Sequence, residues 1–358
     1  MLRYFRDFKR LGFKQIFVAW TAFLALIFLV GYSLGAFRPD HLLFIFTLSL
    51  MASLALGREK ARQFLKDWTP FFLFWLAYDM FRGVADQVRT INIENVYNAE
   101  KALFGWTCGG IVPPHCLQAF KQAKAGTWYI EALDVMGAAF YAGHFFGPWV
   151  LGLSLWGYRK DRRIFFKFQY SLAILNALGL LTFLWFPAAP PWYVQKTPGA
   201  VLRFEQPGQE FLVEGSEAGL KRVDKLLGTN IFGEVWGKMN PNRFAAVPSL
   251  HGGHSLIIAI FGVLAFGSWG WKRWLFFLYP AGMWFSALYL NHHYLIDPLL
   301  AAVYVAIGMG LTEIWIYPRF IRKYLLDYHE LSAEEQARFP RPTPPDSIED
   351  APPTPEGS

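Results

Sequence analysis

Long apolar runs alternate along the chain with short, mostly basic segments. Runs near the roughly 20 residues that cross a hydrocarbon core fall at 16–36, 41–56, 68–86, 133–157, 164–187, 249–268, 273–293 and 297–317. They predict an all-α fold, a polytopic transmembrane helical bundle of about eight spans. The second run is short for a span, and the third carries Asp79 and Arg82. The first follows Arg3, Arg6, Lys9, Arg10 and Lys14. At about 21 residues it exceeds the apolar core of a signal peptide, about 7 to 15 residues, so an uncleaved anchor is expected.

An even number of spans puts both termini on one side of the membrane. That side receives the N-terminal basic cluster, then Arg58, Lys60, Arg62 and Lys66, then Arg159, Lys160, Arg162, Arg163 and Lys167. It also receives Lys272 with Arg273, and Arg319 with Arg322 and Lys323. Short basic loops mark the cytoplasmic face. The long segments 87–132 and 188–248 therefore face away from the cytoplasm. Beyond Leu326 the chain turns acidic and proline-rich, too poor in apolar residues to bury a core. The expected organisation is N-terminal membrane helices over 1–67, a second membrane domain over 68–318 and a disordered cytoplasmic tail over 326–358.

Composition agrees with a bilayer as solvent: 54% of the residues are hydrophobic and 17% charged, against about 25% charged in soluble domains. The net charge of +7 sits in loop clusters that act as topology signals, so membrane lipids and not nucleic acid are the expected partners. No internal repeat is evident, which speaks against inverted-repeat transporters. Cys108 and Cys116 share one polar stretch without metal-site spacing. A disulfide in an oxidising compartment and two free thiols both remain open.

Three clusters carry candidate chemistry. In Phe186-Pro187-Ala188-Ala189-Pro190-Pro191-Trp192-Tyr193 the prolines end the fifth run and the rings suit an interfacial aromatic belt. In Val247-Pro248-Ser249-Leu250-His251-Gly252-Gly253-His254-Ser255, Ser249 is placed as an N-cap. His251 then falls in the first turn, beside unpaired N–H groups and the positive end of the helix dipole, where anions bind. Gly252 and Gly253 are expected to open the backbone to a phosphate, since they serve no visible packing stripe. Ser249 alternatively only caps the helix, and His254 alternatively only bonds a neighbouring helix.

The third cluster is Asn291-His292-His293-Tyr294-Leu295-Ile296-Asp297-Pro298. Ionisable groups at the end of an apolar helix are costly, about 2.5 to 3.5 kcal/mol for an Asp at mid-membrane, so they call for a reason. Asp297-Pro298 reads as N-cap and first residue of the last span. Functionally, the carboxylate orients His293 through one ring nitrogen and leaves the other as nucleophile or base. A phosphorane-like transition state also needs cations. The 188–248 segment offers Lys196, Arg203, Lys221, Arg222 and Arg243, with arginine favoured for bidentate contact.

With these motifs in hand, the chain resembles the type 2 phosphatidic acid phosphatase superfamily, in the branch that contains inositol phosphorylceramide synthase. The resemblance rests on Ala189-Pro190-Pro191-Trp192-Tyr193, Ala218-Gly219-Leu220-Lys221-Arg222-Val223-Asp224, Pro248-Ser249-Leu250-His251 and His292-His293-Tyr294-Leu295-Ile296-Asp297, in family order over roughly 68–316. Tyr78-Asp79-Met80-Phe81-Arg82 and Tyr141-Ala142-Gly143-His144-Phe145 also look like family features; Asp79 and Arg82 are read as neutralising each other or, alternatively, as helping to bind a headgroup.

The resemblance implies a six-helix phosphatase-like core and a lipid phosphotransferase working through a phosphohistidine. His293 would attack phosphorus, Asp297 orient it and His251 protonate the leaving alcohol, with no metal or cofactor required. Substrate contacts are expected from Arg222, Ser249, Gly252, Lys196 and Arg203. The sequence departs from the wider superfamily at Ser286-Ala287, where a phosphate-binding arginine is usual, and at Phe204, where proline would follow Arg203. Arg222, in the Gly-Leu-x-Arg-x-Asp segment, best replaces the missing clamp. Alternatives are a lipid phosphate phosphatase, a metal-dependent hydrolase with His251, His254, His293 and Asp297 on zinc, and a non-catalytic lipid transporter.

Overall fold

A computed structural model of the protein describes residues 15, 18, 22, 26, 45, 47–51, 55–81, 89–196, 220–229 and 244–327. Most of the first and second expected spans, the Asp79–Arg82 pairing, Arg203, Arg243 and the 328–358 part of the tail lie outside them.

In chain order the helices are α1 (Arg58–Phe81), α2 (Glu94–Phe104), α3 (Pro113–Ala123), α4 (Trp128–Leu153), α5 (Arg162–Trp185), α6 (Pro191–Lys196), α7 (Leu220–Leu227), α8 (Leu250–Ala265), α9 (Leu278–Tyr289), α10 (Ile296–Leu311) and α11 (Arg322–Asp327). Wider turns extend α4 through Ser154–Arg159 and α10 through Thr312–Ile321, and tight 3₁₀ turns cover Gly105–Cys108 and Gly267–Phe277. The described residues are all-helical apart from two isolated parallel bridges, Asn92 to Ala188 and Ala188 to Ala245.

Several boundaries differ from expectation for visible reasons. The third apolar run is part of a helix that starts at Arg58, just after Gly57 turns the chain at φ 73°. Its first turns are amphipathic: Arg62 pairs with Glu59 on the outside, while Lys66 and Asp67 are buried. The seventh run yields only the twelve residues of α9. Before it, Gly270 breaks the helical path at φ 57°; after it, Asn291 turns left-handed at φ 63°. Two helical stretches, Arg162–Trp185 and Ile296–Leu325, are long and apolar enough to cross a membrane, and Leu250–Ala265 is apolar but shorter.

α5 packs against α10, α8 and α1, and α4 packs against α9 and α8. The core between α1, α4 and α5 is aromatic: Trp68 stacks on Trp149 with ring planes 6° apart, and Phe64, Phe71 and Phe165 surround it. Such rings bury large apolar areas and gain from offset and edge contacts. Where helices must come closer, glycine removes the obstacle. A Cβ on Gly308 would lie 2.8 Å from the Ser171 carbonyl of α5.

The two ends of the bundle are fastened differently. At one end Asp67, 1% exposed, accepts from Trp156 Nε1 and Tyr324 Oη, both at 2.8 Å, and meets Arg162 Nε at 3.2 Å. At the other end α5 and α9 finish and α8 and α10 begin. There Ala188 N donates to Phe244 O, Ala189 N to Asn92 O and Asn92 N to Pro187 O, which threads three loops together through backbone.

Candidate active site

The short turn 290–295 carries the two histidines between α9 and α10. Asn291, in the left-handed region that asparagine tolerates, reverses the chain so that His292 N and His293 N both donate to Ala287 O. The turn is held from outside by α6: Trp192 N donates to Asn291 O at 3.0 Å and Asn291 Nδ2 to Gln195 Oε1 at 2.6 Å. The proline–aromatic motif is therefore a bracket for the histidine turn. Trp192 and Tyr193 are 3% and 1% exposed, packed with Ile91, Ile93 and Phe244. This corrects the interfacial-belt reading, because the 89–97 segment and Phe244 cover the rings.

His293 Nδ1 lies 3.1 Å from Asp297 Oδ2 and 2.9 Å from the Ala246 carbonyl. Both partners are acceptors, so Nδ1 carries the proton and Nε2 keeps its lone pair. Nε2 lies 3.2 Å from His251 Nδ1. The three residues from which chemistry was expected therefore meet around one ring. Asp297 is fully buried, and its Oδ2 also accepts from Tyr294 N at 2.9 Å. Its other oxygen, Oδ1, has no hydrogen-bond partner among the described residues.

Asp297 is not the N-cap. α10 starts at Ile296 with Leu295 in the cap position and without a side-chain cap of its own. The N–H groups of Leu295 and Ile296 instead donate to Glu100 of α2, at 2.9 and 3.0 Å. That frees the Asp297 carboxylate to face His293.

His251 sits in the first turn of α8. Ser249 caps that helix, its Oγ accepting from Gly252 N at 3.2 Å, and Ser249 N donates to Asp297 O at 3.1 Å, joining the starts of α8 and α10. Gly252 and Gly253 serve packing, contrary to expectation. A Cβ on Gly252 would lie 2.7 Å from Pro298 Cβ, and one on Gly253 3.0 Å from Leu175. α4 completes the pocket wall: Tyr141 stacks on His251 at 4.4 Å between centroids and His144 meets it at 4.1 Å. His254 turns away, its Nε2 bonding Asn176 Oδ1 of α5 at 2.8 Å. The metal alternative needed His254 beside His251. Among the described residues no group of three or more His, Cys, Asp or Glu is disposed to hold a metal ion.

The expected cationic groups are more scattered. Arg222, on α7, is 41% exposed in its side chain, with Nε 3.7 Å from Asp134 Oδ2. Asp134 is buried and also takes Lys121 Nζ at 2.6 Å and Tyr289 Oη at 2.9 Å. This network reaches the site through Tyr289, four residues ahead of His293. Lys196 ends α6. Cys108 and Cys116 are bonded to each other, closing the open choice between disulfide and thiols and stapling the start of α3 to the turn after α2.

Sequence reasoning missed the Ala246 carbonyl and Glu100. The carbonyl has no side chain to signal it, and Glu100 resembles any other charge on an amphipathic helix. Tyr141 and His144 stood in a segment singled out as family-like, without an assigned role.

The sequence profile of the PAP2 superfamily matches residues 122–311. Several known proteins are similar to the chain. The phosphoinositol dihydroceramide synthase of Bacteroides thetaiotaomicron is 30% identical over 84% of this chain and 94% of its own length. The inositol phosphorylceramide synthase of Candida albicans is 32% identical over 51% of this chain and 34% of its own. The inositol phosphorylceramide synthase catalytic subunit of Saccharomyces cerevisiae is 33% identical over 36% and 29%. The matches thus span about a third of the two fungal proteins. No solved structure matches the chain.

Proposed function

The chain belongs to the PAP2 superfamily, and from that premise we propose that it is an integral membrane phosphotransferase that moves a phosphoinositol-type headgroup from a glycerolipid to a ceramide-type alcohol through a phosphohistidine. The relatives' names support the substrate class. One observation carries the chemistry: His293 Nδ1 is held by two oxygens while Nε2 faces His251.

The transfer requires His293 neutral, with its proton on Nδ1, and His251 as an imidazolium once the anionic lipid phosphate is beside it. Nε2 of His293 attacks phosphorus, forming the N–P bond as the bond to the glycerolipid oxygen breaks. His251 gives its proton to that departing oxygen. Asp297 balances the positive charge that grows on the His293 ring. In the second half the acceptor hydroxyl surrenders its proton to His251, its oxygen attacks phosphorus, and the N–P bond breaks. With water as acceptor the same steps hydrolyse the donor, and with a phosphomonoester lipid as that donor they give a phosphatase. Arg222, Lys196 and Arg203 are the proposed clamp for the phosphate oxygens, and the capped start of α8 at Ser249 and Gly252 presents its positive dipole end to them.

We take α1, α4, α5, α8, α9 and α10 as the six-helix catalytic core of an eight-span protein. Both termini are cytoplasmic and the site opens on the other face. The Cys108–Cys116 bond on the site's end of the bundle supports an oxidising surrounding. The basic residues Arg159, Lys160, Arg162 and Arg163 lie at the opposite end.

The test uses a phosphoinositide labelled with 32P in the headgroup. Wild type should retain acid-labile, base-stable label that passes to added ceramide, and His293→Ala should retain none. Equal labelling of the two proteins defeats the nucleophile assignment, and release to water alone makes the enzyme a hydrolase and not a transferase; release of phosphate from a labelled lipid phosphomonoester selects the phosphatase variant.

A further inference from the structure

Glu100 lies on α2, 195 residues from its partners, and is fully buried. Its two carboxylate oxygens are divided between two successive backbone N–H groups: Oε1 takes Leu295 N at 2.9 Å and Oε2 takes Ile296 N at 3.0 Å. These are the first donors of α10, which a helix start leaves unpaired, and α10 has no side-chain cap from its own strand of chain. A carboxylate at this end also faces the positive pole of the helix. The N–H of Tyr294, the residue before this pair, goes to Asp297 Oδ2, which also holds His293. Glu100 therefore grips the two residues that separate His293 and Tyr294 from Asp297.

The helix bearing Glu100 is itself anchored. Glu100 is followed by the turn containing Cys108, bonded to Cys116 of α3. From α3, His115 Nε2 donates to Pro191 O at 2.9 Å and Gln118 Nε2 to Tyr289 O at 2.6 Å. Burial raises the Glu100 carboxyl above its ordinary range, opposed by the two N–H donors and reinforced by Asp297. Such a cost is borne for a cap that must not move.

Resting on the reading of His293 as nucleophile, we propose that Glu100 is a positioning residue for the transfer reaction, fixing the first turn of α10 so that Asp297 stays on His293 Nδ1. It touches no reacting atom. Its contribution is geometric, and displacement of a catalytic group by about 1 Å can cost about 10²-fold in rate.

The experiment compares wild type, Glu100→Gln, Glu100→Asp and His293→Ala as full-length chains in lipid nanodiscs. It measures kcat and KM for headgroup transfer per folded molecule, together with thermal unfolding. Gln keeps the shape but points an NH2 at one of the two donors; Asp keeps the charge and withdraws it by one methylene. Both should lower kcat by about 10- to 100-fold with KM within about twofold, the signature of an interaction felt in the transition state. Wild-type kcat in the folded fraction of both variants overturns the inference, as does a raised KM at unchanged kcat. Loss of folded protein in both also overturns it, since Glu100 would then hold the fold and not the site. Absence of transfer by wild type, or full transfer by His293→Ala, rejects the underlying reaction instead.

Discussion

His293 Nε2 and His251 Nδ1 stand 3.2 Å apart, in direct hydrogen-bond contact across the junction of α9 and α8. Two ring nitrogens at that distance share one proton, which sits on His251 because His293 already carries its own on Nδ1. In the proposed reaction phosphorus enters between them, the rings part as the substrate arrives, and the proton of His251 is presented to the substrate oxygen that replaces the His293 lone pair.

Asp297→Asn separates charge from orientation. The Ala246 carbonyl still holds Nδ1–H of His293, so the tautomer persists while the counter-charge is lost. We expect kcat to fall by about 10²- to 10³-fold, less than the roughly 10⁴-fold seen when a triad carboxylate alone fixes the tautomer. Initial rates of headgroup transfer in nanodiscs measure this, and a loss of 10⁴-fold or more would mean that the carbonyl does not orient the ring.

The two glycines of α8 should respond differently to alanine. In Gly252→Ala the new methyl would lie 2.7 Å from Pro298 Cβ and 3.2 Å from the α-carbon of that proline and from Trp284 Nε1, at the rigid start of α10. Gly253→Ala meets mainly the flexible end of Leu175, at 3.0 and 3.1 Å. Overpacking of this kind costs about 1 to 3 kcal/mol. The first variant should show the larger fall in thermal midpoint and a fall in kcat as His251 shifts against Asp297; the second should keep kcat near wild type.

Asp134→Asn tests the buried pair beside the site. Lys121 is buried with Asp134, and burial, aided by the nearby Arg222 charge, pushes the Lys121 ammonium below its ordinary range, with Asp134 opposing that. Without the carboxylate the depression deepens. A base whose folded pKa lies below its unfolded value binds fewer protons when folded, so stability rises with pH between the two values. The variant should lose about 3 to 5 kcal/mol near neutral pH and recover part of it as pH climbs toward the ordinary lysine range of about 10. Chemical unfolding at several pH values reads the trend, and a deficit independent of pH contradicts it.

How much of this could be read from the chain itself depends on whether a residue advertises its cost. His251, His293 and Asp297 stand at the ends of apolar runs, where polar groups are unusual enough to be noticed. α5 likewise starts and stops within two residues of its apolar run, because adjacent residues set its ends, the Asp161 cap at one and the prolines from Pro187 at the other. Glu100 was invisible for the opposite reason: on an eleven-residue amphipathic helix a buried acid and a solvated one are alike until the partner 195 residues away is in place. Gly252 and Gly253 were noticed but their packing role was not legible, because sequence shows the missing side chain but not Pro298 and Leu175 pressed against it. Trp192 and Tyr193 resembled lipid-facing rings for want of the loops that cover them.

The Ala246 carbonyl points to a blind spot in how such an enzyme would be explored. Exchanging every side chain in turn leaves that oxygen untouched, so a complete library of single substitutions would report the position as indifferent or merely spatially tight. Only an edit to the main chain itself, such as an ester in place of the amide that carries the carbonyl, weakens the acceptor while sparing everything around it.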